Sequence, residues 1–183
     1  MAHLLTAVRL ALAVPFGFWM AQTDPGPTWV AAVAMVIAIA TDLADGPVAR
    51  RTGRASAAGR VFDHASDFAF VTAGLIGGAV RGVFPALLPA LVILAFAQYV
   101  VDSYWLHRER QLRMSQLGRW NGVLYFVPLC GDLLVRTGIL DALGLGVLSP
   151  LVLWIAWGLI VSTLLSIGDR LFAVSRRAPG SPV

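Results

Sequence analysis

The chain has 183 residues, of which 58% are hydrophobic and 13% are charged. A soluble domain of this size would carry about 25% charged residues, so the composition argues against a soluble protein and for one surrounded by lipid. A bilayer-spanning helix needs roughly 20 mostly apolar residues, and such runs recur along the chain. We expect one membrane domain over residues 1–177, followed by a disordered tail at 178–183.

The apolar runs predict six membrane-spanning helices in a single all-α bundle. In chain order, the spans are Leu4–Met20, Thr28–Leu43, Phe62–Val80, Phe84–Trp105, Val123–Ile139 and Leu148–Ile167. The first run, with Arg9 ahead of it, also resembles a cleavable signal. No small-x-small cleavage site follows it, so we keep it as a span.

All 14 basic residues are arginines, and the formal net charge is +4. Such a balance is also typical of nucleic-acid-binding proteins, but these arginines lie in short segments between apolar runs, so we expect no nucleic-acid partner. With the N-terminus inside, only Arg81 and Arg136 fall outside the cell. Because positive charge accumulates on the cytoplasmic side, we expect a multi-pass protein of the cell membrane with both termini in the cytoplasm.

Four of the ten acidic residues fall within one short stretch of the sequence. Asp42 and Asp45 are spaced i,i+3 at the inner end of the second span, and Asp63 and Asp67 are spaced i,i+4 at the start of the third. On helices each pair projects from one face, and the two helix ends are neighbours. We therefore expect the four carboxylates to converge at the cytoplasmic side of the bundle.

Four carboxylates in a medium of low dielectric constant repel one another unless cations separate them. Hard oxygen ligands suit Mg²⁺ or Mn²⁺, and two such ions would clamp a phosphate and stabilise its leaving group. The alternative is a set of interfacial carboxylates paired with nearby arginines such as Arg50 and Arg60. Carboxylates within membrane segments are usually functional, which favours the metal site.

The spacing around these aspartates resembles the motif of the CDP-alcohol phosphatidyltransferase family at every fixed position. The pattern is Asp42-Leu-Ala-Asp45-Gly46-Pro-Val-Ala49-Arg50, eight residues, Gly59, three residues, Asp63, three residues and Asp67. The six-span plan around the motif is also similar to that of the family. The resemblance implies an enzyme that transfers a phosphatidyl group from a CDP-activated lipid, usually CDP-diacylglycerol, to an alcohol and releases CMP.

The resemblance also implies a role for each motif residue. Asp42, Asp45 and Asp63 would be the main ligands of two divalent cations, Mg²⁺ or Mn²⁺, and Asp67 would lie near the second ion and act as the general base. The CDP-lipid would lie against the residues Gly46, Ala49, Arg50 and Gly59. Family members are usually dimeric, so a homodimer in the lipid bilayer is implied as well.

The acceptor alcohol is less defined by the sequence. Gly118-Arg119 loosely resembles an element of relatives that use glycerol phosphate, which favours glycerol 3-phosphate, with Arg119 and Arg113 as candidate phosphate contacts. Asn121 and Gly122 depart from that element, so inositol 1-phosphate or another polar alcohol stays open. A non-catalytic transporter or scaffold with a retained metal cluster is the alternative from another class of protein.

Several residues outside the motif allow two interpretations. Thr6 and Arg9 resemble a Thr-x-x-Arg element of some relatives, and Arg9 is either close to the substrate phosphates or an interfacial snorkelling side chain. Asp132 and Arg136 are spaced i,i+4, which predicts a local ion pair. His64 lies between motif positions and is expected outside the metal ligand set. Gly74-x-x-x-Gly78 shares a face with Asp67, which predicts close packing inside the bundle.

Overall fold

A computed structural model describes residues 2–52, 57–101 and 116–175, and within these ranges every regular element is a helix. The main helices are α1 (Ala2–Ala21), α2 (Pro25–Thr52), α3 (Ala57–Val80), α4 (Leu87–Val101), α5 (Gln116–Leu124), α6 (Phe126–Arg136) and α8 (Leu151–Ser175). A short α7 (Ile139–Ala142) and a 3₁₀ turn (Gly146–Leu148) connect α6 to α8. The all-α class predicted from the sequence is confirmed.

A proline and a glycine account for the breaks between α1 and α2 and between α3 and α4. Pro25 is the first residue of α2, where its fixed φ suits a helix and its missing N–H costs no hydrogen bond. The α3–α4 turn contains Gly82 at a φ of 83°, and the Val83 N–H returns to the Gly78 carbonyl at 2.9 Å. A left-handed glycine of this kind is a common helix terminator.

The predicted fifth span is divided at Tyr125 into α5 and α6. The reason lies three residues further on, at Pro128, which has no N–H to donate to the Leu124 carbonyl and whose ring crowds that carbonyl. The Tyr125 N–H still bonds to the Asn121 carbonyl at 2.9 Å, so the chain continues in nearly the same direction.

Helices α1 and α3 lie parallel, and their register determines where Arg9, the charged residue of α1, lies. Arg9 meets Asp63 and Asp67, 54 and 58 positions later. Further along, Phe16 stacks on Phe70 with ring centroids 4.2 Å apart and an interplanar angle of 11°. We call the Arg9 end of this pair the near end and the opposite end the far end.

Glycines allow the two backbones to approach. A Cβ at Gly17 would lie 2.8 Å from the Ala73 carbonyl oxygen, and one at Gly77 would overlap the Gly17 carbonyl oxygen. In lipid, where there is little hydrophobic drive between helices, small residues at a contact permit the close packing that holds helices together. Glycines on both helices, Gly17 and Gly77, therefore determine how α1 is positioned along α3.

Gly74 and Gly78 also face the inside of the bundle, as predicted. A Cβ at Gly74 would overlap the ring of Phe16, and one at Gly78 would overlap the ring of Phe84. Both rings are buried, with exposed fractions of 0% and 3%. The small-residue pair thus makes room for aromatic side chains of neighbouring segments.

Apolar side chains also cover much of the outer surface. Val14, Phe18, Val36 and Trp154 are exposed on α1, α2 and α8. Two segments, Pro25–Leu43 and Leu151–Leu171, are long and apolar enough to cross a membrane, and Thr6–Ala21 and Leu87–Val101 are shorter apolar helices. This surface supports a membrane location, while the six-span arrangement stays a prediction.

The far end contains a buried group of charges that corrects one expectation. Asp132 accepts a short hydrogen bond from Arg81 of the α3–α4 turn, whereas Arg136, its i,i+4 neighbour, lies 3.9 Å away. Arg136 instead donates to the carbonyl oxygen of Gln22. The predicted local pair was therefore incomplete, because the main partner of Asp132 comes from a distant part of the sequence.

Candidate active site

The near end places two acidic side chains one helical turn apart on α3. Asp63 and Asp67 are spaced i,i+4, and their side chains are 29% and 24% exposed. Ser66, on the same turn, is buried, and its hydroxyl donates to the Asp63 carbonyl at 2.8 Å. This turn of α3 therefore presents two partly accessible carboxylates from a single face.

Arg9 of α1 lies against both carboxylates. Its Nη1 donates to Asp63 Oδ1 at 3.2 Å and makes a short hydrogen bond to Asp67 Oδ1. The guanidinium is fully buried, although α1 is otherwise mostly apolar. Of the two interpretations of Arg9, the snorkelling one is wrong, because a snorkelling side chain would extend its charge into water.

A third carboxylate reaches the same guanidinium from α2. Asp42 Oδ1 lies 3.6 Å from Arg9 Nη1, and the Asp42 side chain is 49% exposed. Three helices thus contribute to one charged cluster, which is closed on the α1 side and open on the α2 side. We call Arg9, Asp42, Asp63 and Asp67 the near-end cluster. Asp45 lies within α2, but its side chain is outside the described part of the structure.

The composition of the cluster fits a divalent cation. Three carboxylates against one guanidinium leave a formal charge of −2 among the described members. Asp63, His64 and Asp67 each offer one ligand atom, and these atoms lie within 4.8 Å of one another. Carboxylate oxygens suit Mg²⁺ and Mn²⁺, and imidazole suits transition metals. His64, which the sequence led us to leave out of the ligand set, therefore joins the candidates.

The other motif residues are only partly described. Gly46, Ala49 and Arg50 lie in α2 and Gly59 lies in α3, so all four are helical, but the description does not extend to their side chains. Arg119 lies on α5 with an exposed side chain. Arg113 lies outside the described residues.

Aromatic contacts bring α4 and α8 close to the level of the near-end cluster. Phe68, which follows Asp67, stacks on Phe96 of α4 with centroids 3.9 Å apart. Tyr99 of α4 lies under the guanidinium carbon of Arg170, 5.1 Å from it, in a cation–π contact. These contacts pack α4 against α3 next to Asp67 and pack the C-terminal half of α8 against α4.

A polar group between α5 and α8 was not predicted from the sequence. The Ser162 hydroxyl donates to the side-chain oxygen of Asn121 at 2.6 Å, and the hydroxyls of Tyr125 and Thr163 lie 2.7 Å apart. Asn121 and Thr163 are buried. Each of these polar residues is isolated in an apolar part of the sequence, so the sequence did not predict that they meet. They meet only because the two helices pack together.

Comparison with known proteins identifies the family. The family model described as CDP-alcohol phosphatidyltransferase matches residues 1–162 of the 183. No curated protein and no solved structure matches the chain. The match covers α1 to α7 and part of α8, including the near-end cluster. The family implies phosphatidyl transfer from a CDP-alcohol to an alcohol. The family depends in general on divalent cations and is associated with membranes. The chain belongs to the CDP-alcohol phosphatidyltransferase family.

Proposed function

We propose that the protein transfers the phosphatidyl group of CDP-diacylglycerol to glycerol 3-phosphate and releases CMP. The observation that carries this proposal is the near-end cluster. Asp42, Asp63 and Asp67 come from two helices, follow the order of the family motif, and reach one buried guanidinium. The aspartates of the family motif are the same ones that converge in the structure. This agreement supports a site for a charged phosphate substrate rather than a set of solvated surface carboxylates.

The residues that would hold two divalent cations are Asp42, Asp45, Asp63 and Asp67. Bound there, Mg²⁺ or Mn²⁺ would neutralise charge on the diphosphate and stabilise the departing CMP. The partial exposure of the Asp42, Asp63 and Asp67 side chains leaves their oxygens accessible to ligands. A sealed pocket would not admit a nucleotide.

Asp67 is proposed as the general base. As the acceptor hydroxyl oxygen forms a bond to the lipid-side phosphorus, its proton passes to the Asp67 carboxylate, and the bond from that phosphorus to the CMP oxygen breaks. A base must lie within hydrogen-bond reach of the proton that it takes. With 24% of its side chain exposed, Asp67 can meet an acceptor that enters from the open side of the cluster.

Binding of the donor and acceptor rests on the resemblance to the family. We assign the CDP-lipid to Gly46, Ala49, Arg50 and Gly59, and the acceptor phosphate to Arg119 and Arg113. The exposed side chain of Arg119 is available to a soluble anion. Inositol 1-phosphate is the alternative acceptor, since both candidates present a phosphate monoester beside a hydroxyl.

The membrane arrangement is part of the same proposal. The skewed arginine distribution supports cytoplasmic termini and an active site at the cytoplasmic side of the cell membrane. Arg81 and Arg136 would then lie at the outer side, and in the structure both are at the far end, against Asp132. We further propose a homodimer, as in the family.

Release of CMP by the purified protein tests the proposal. The protein in detergent would be given CDP-diacylglycerol, Mg²⁺ or Mn²⁺, and a panel of glycerol 3-phosphate, inositol 1-phosphate, serine and glycerol. We expect CMP with glycerol 3-phosphate and none after chelation of the cation. Release with inositol 1-phosphate alone would select the alternative acceptor. No CMP with any acceptor would contradict an enzymatic role and favour a transporter or scaffold.

A further inference from the structure

Arg9 is a fully buried cation within the near-end cluster. Its side chain has 0% exposure, and its Nη1 atom faces carboxylates from two other helices. A charge in this position is costly to bury unless it is paired. Arg9 and its carboxylate partners therefore form one unit. The effect of Arg9 on cation binding depends on which carboxylate oxygens it contacts.

The guanidinium uses oxygens from three of the four proposed metal ligands. Asp63 Oδ1 lies 3.2 Å from Arg9 Nη1, Asp42 Oδ1 lies 3.6 Å away, and Asp67 Oδ1 accepts a short hydrogen bond. Mg²⁺ binds carboxylate oxygens at about 2.1 Å. A cation on any of these oxygens would lie within a few ångströms of a positive charge, and the two would repel each other.

We propose that Arg9 is an internal competitor of the divalent cation, a positioning residue that lowers the affinity of the site for the cation by engaging its carboxylates. This inference rests on the proposed metal site and adds to it a residue from α1, outside the aspartate motif. Arg9 acts through Asp42, Asp63 and Asp67, and it takes no proton in the reaction.

Two opposing effects decide the sign of a substitution at Arg9. Without the guanidinium, the carboxylates repel one another and lose their arrangement, which weakens cation binding. Loss of the positive charge also removes its repulsion of the cation. At a separation of about 5 Å, this repulsion alone changes a binding constant by roughly tenfold even with the dielectric constant of water, and by more in a partly buried site. We take the repulsion as the larger effect, because it acts directly on the bound cation, whereas the change in carboxylate arrangement acts only through the ligands.

Competition of this kind makes cation binding depend on the substrate. The diphosphate of the donor is an anion that a guanidinium can bind in place of carboxylates. When CDP is present, Arg9 has this second partner, and its hold on the aspartates weakens. By linkage, CDP should then raise the affinity for the cation, and the cation should raise the affinity for CDP by the same factor.

Titration with Mn²⁺ tests the inference without an activity assay. The electron paramagnetic resonance signal of free Mn²⁺ would report binding to the wild type, Arg9→Gln, Arg9→Lys and Arg136→Gln, each with and without CDP. We expect Arg9→Gln to bind Mn²⁺ about tenfold more tightly than the wild type. Arg9→Lys keeps the charge and should stay within about threefold of the wild type. Arg136→Gln loses the same charge at the far end and should bind Mn²⁺ as the wild type does.

The effect of CDP separates competition from a purely structural role. CDP should raise the Mn²⁺ affinity of the wild type by a larger factor than that of Arg9→Gln. Unchanged or weaker Mn²⁺ binding by a folded Arg9→Gln variant would overturn the inference and leave the metal site standing. Failure of the wild type to bind Mn²⁺ would overturn the metal site and the inference together.

A measurement on the wild type keeps the test independent of the folding of the variant. Phenylglyoxal modifies accessible guanidinium groups, and mass spectrometry of the peptide that contains Arg9 measures the extent. Because Mn²⁺ should release Arg9 from the aspartates, we expect it to increase modification at Arg9 and to leave modification at Arg136 unchanged. A decrease or no change at Arg9 would contradict the competition.

Discussion

Substitution of Gly77 by alanine tests the contact that sets the register of α1 and α3. A Cβ at this position would overlap the carbonyl oxygen of Gly17 and lie 2.8 Å from the Met20 Cβ. The first obstacle is backbone, which cannot turn aside as a flexible side chain does. The helices must therefore separate or slide, and α1 carries Arg9 with it.

The expected cost follows from two opposing terms. Overpacking of a tight contact costs about 1–3 kcal/mol, whereas replacing a glycine in a helix by alanine contributes up to about 1 kcal/mol of stability. We expect Gly77→Ala to be destabilised by about 1–2 kcal/mol overall. Gly158 is the matched control, because it lies inside α8 and a Cβ there would meet nothing within 4 Å. Gly158→Ala should be neutral or slightly more stable than the wild type.

Equilibrium unfolding in mixed micelles would measure both variants, with CMP release recorded alongside. Gly77→Ala should lose stability and also turn over more slowly, since a shifted α1 moves Arg9 relative to Asp63 and Asp67. If Gly77→Ala were as stable and as active as Gly158→Ala, the close α1–α3 contact would not be what sets the register.

Three further substitutions probe other parts of the structure. Asp42→Ala should abolish the thermal stabilisation that CDP-lipid and the cation give together, and a melting curve unaffected by the change would remove Asp42 from the site. Asp132→Ala leaves the partly buried Arg81 and Arg136 without a carboxylate and should cost about 3 kcal/mol in unfolding experiments while keeping that stabilisation; a cost near zero would show that the pair contributes nothing. Tyr125→Phe removes the hydroxyl that meets Thr163 and should cost about 0.6–1 kcal/mol, and a stability equal to the wild type would show that the contact is dispensable.

Local spacing predicted the elements that depend on neighbours in sequence. The i,i+4 spacing of Asp63 and Asp67 predicted a shared face, and both side chains meet Arg9. The position of Gly74 and Gly78 predicted packing inside the bundle, which the rings of Phe16 and Phe84 confirm. In each case the helical repeat is enough to determine the relation.

Spacing within one helix does not predict contacts between segments that are distant in the sequence. The partner of Asp132 is Arg81, 51 positions earlier, and only the turn after α3 brings it to α6. Arg9 was ambiguous for the same reason, since its burial depends on the register between α1 and α3. Gly17 and Gly77 form a small-residue contact across two helices, which a search for GxxxG within one helix does not find.

The role of Asp67 as the base is the central claim, and the rate of CMP release by Asp67→Asn tests it most directly. Asn keeps the shape of the side chain but takes up a proton far less readily. With the cation, CDP-diacylglycerol and glycerol 3-phosphate at saturating concentrations, we expect turnover to fall by about 10²–10⁴-fold. Asp24→Asn, an exposed residue at the far end, should retain the wild-type rate. Turnover of a folded Asp67→Asn variant at the wild-type rate would contradict the assignment.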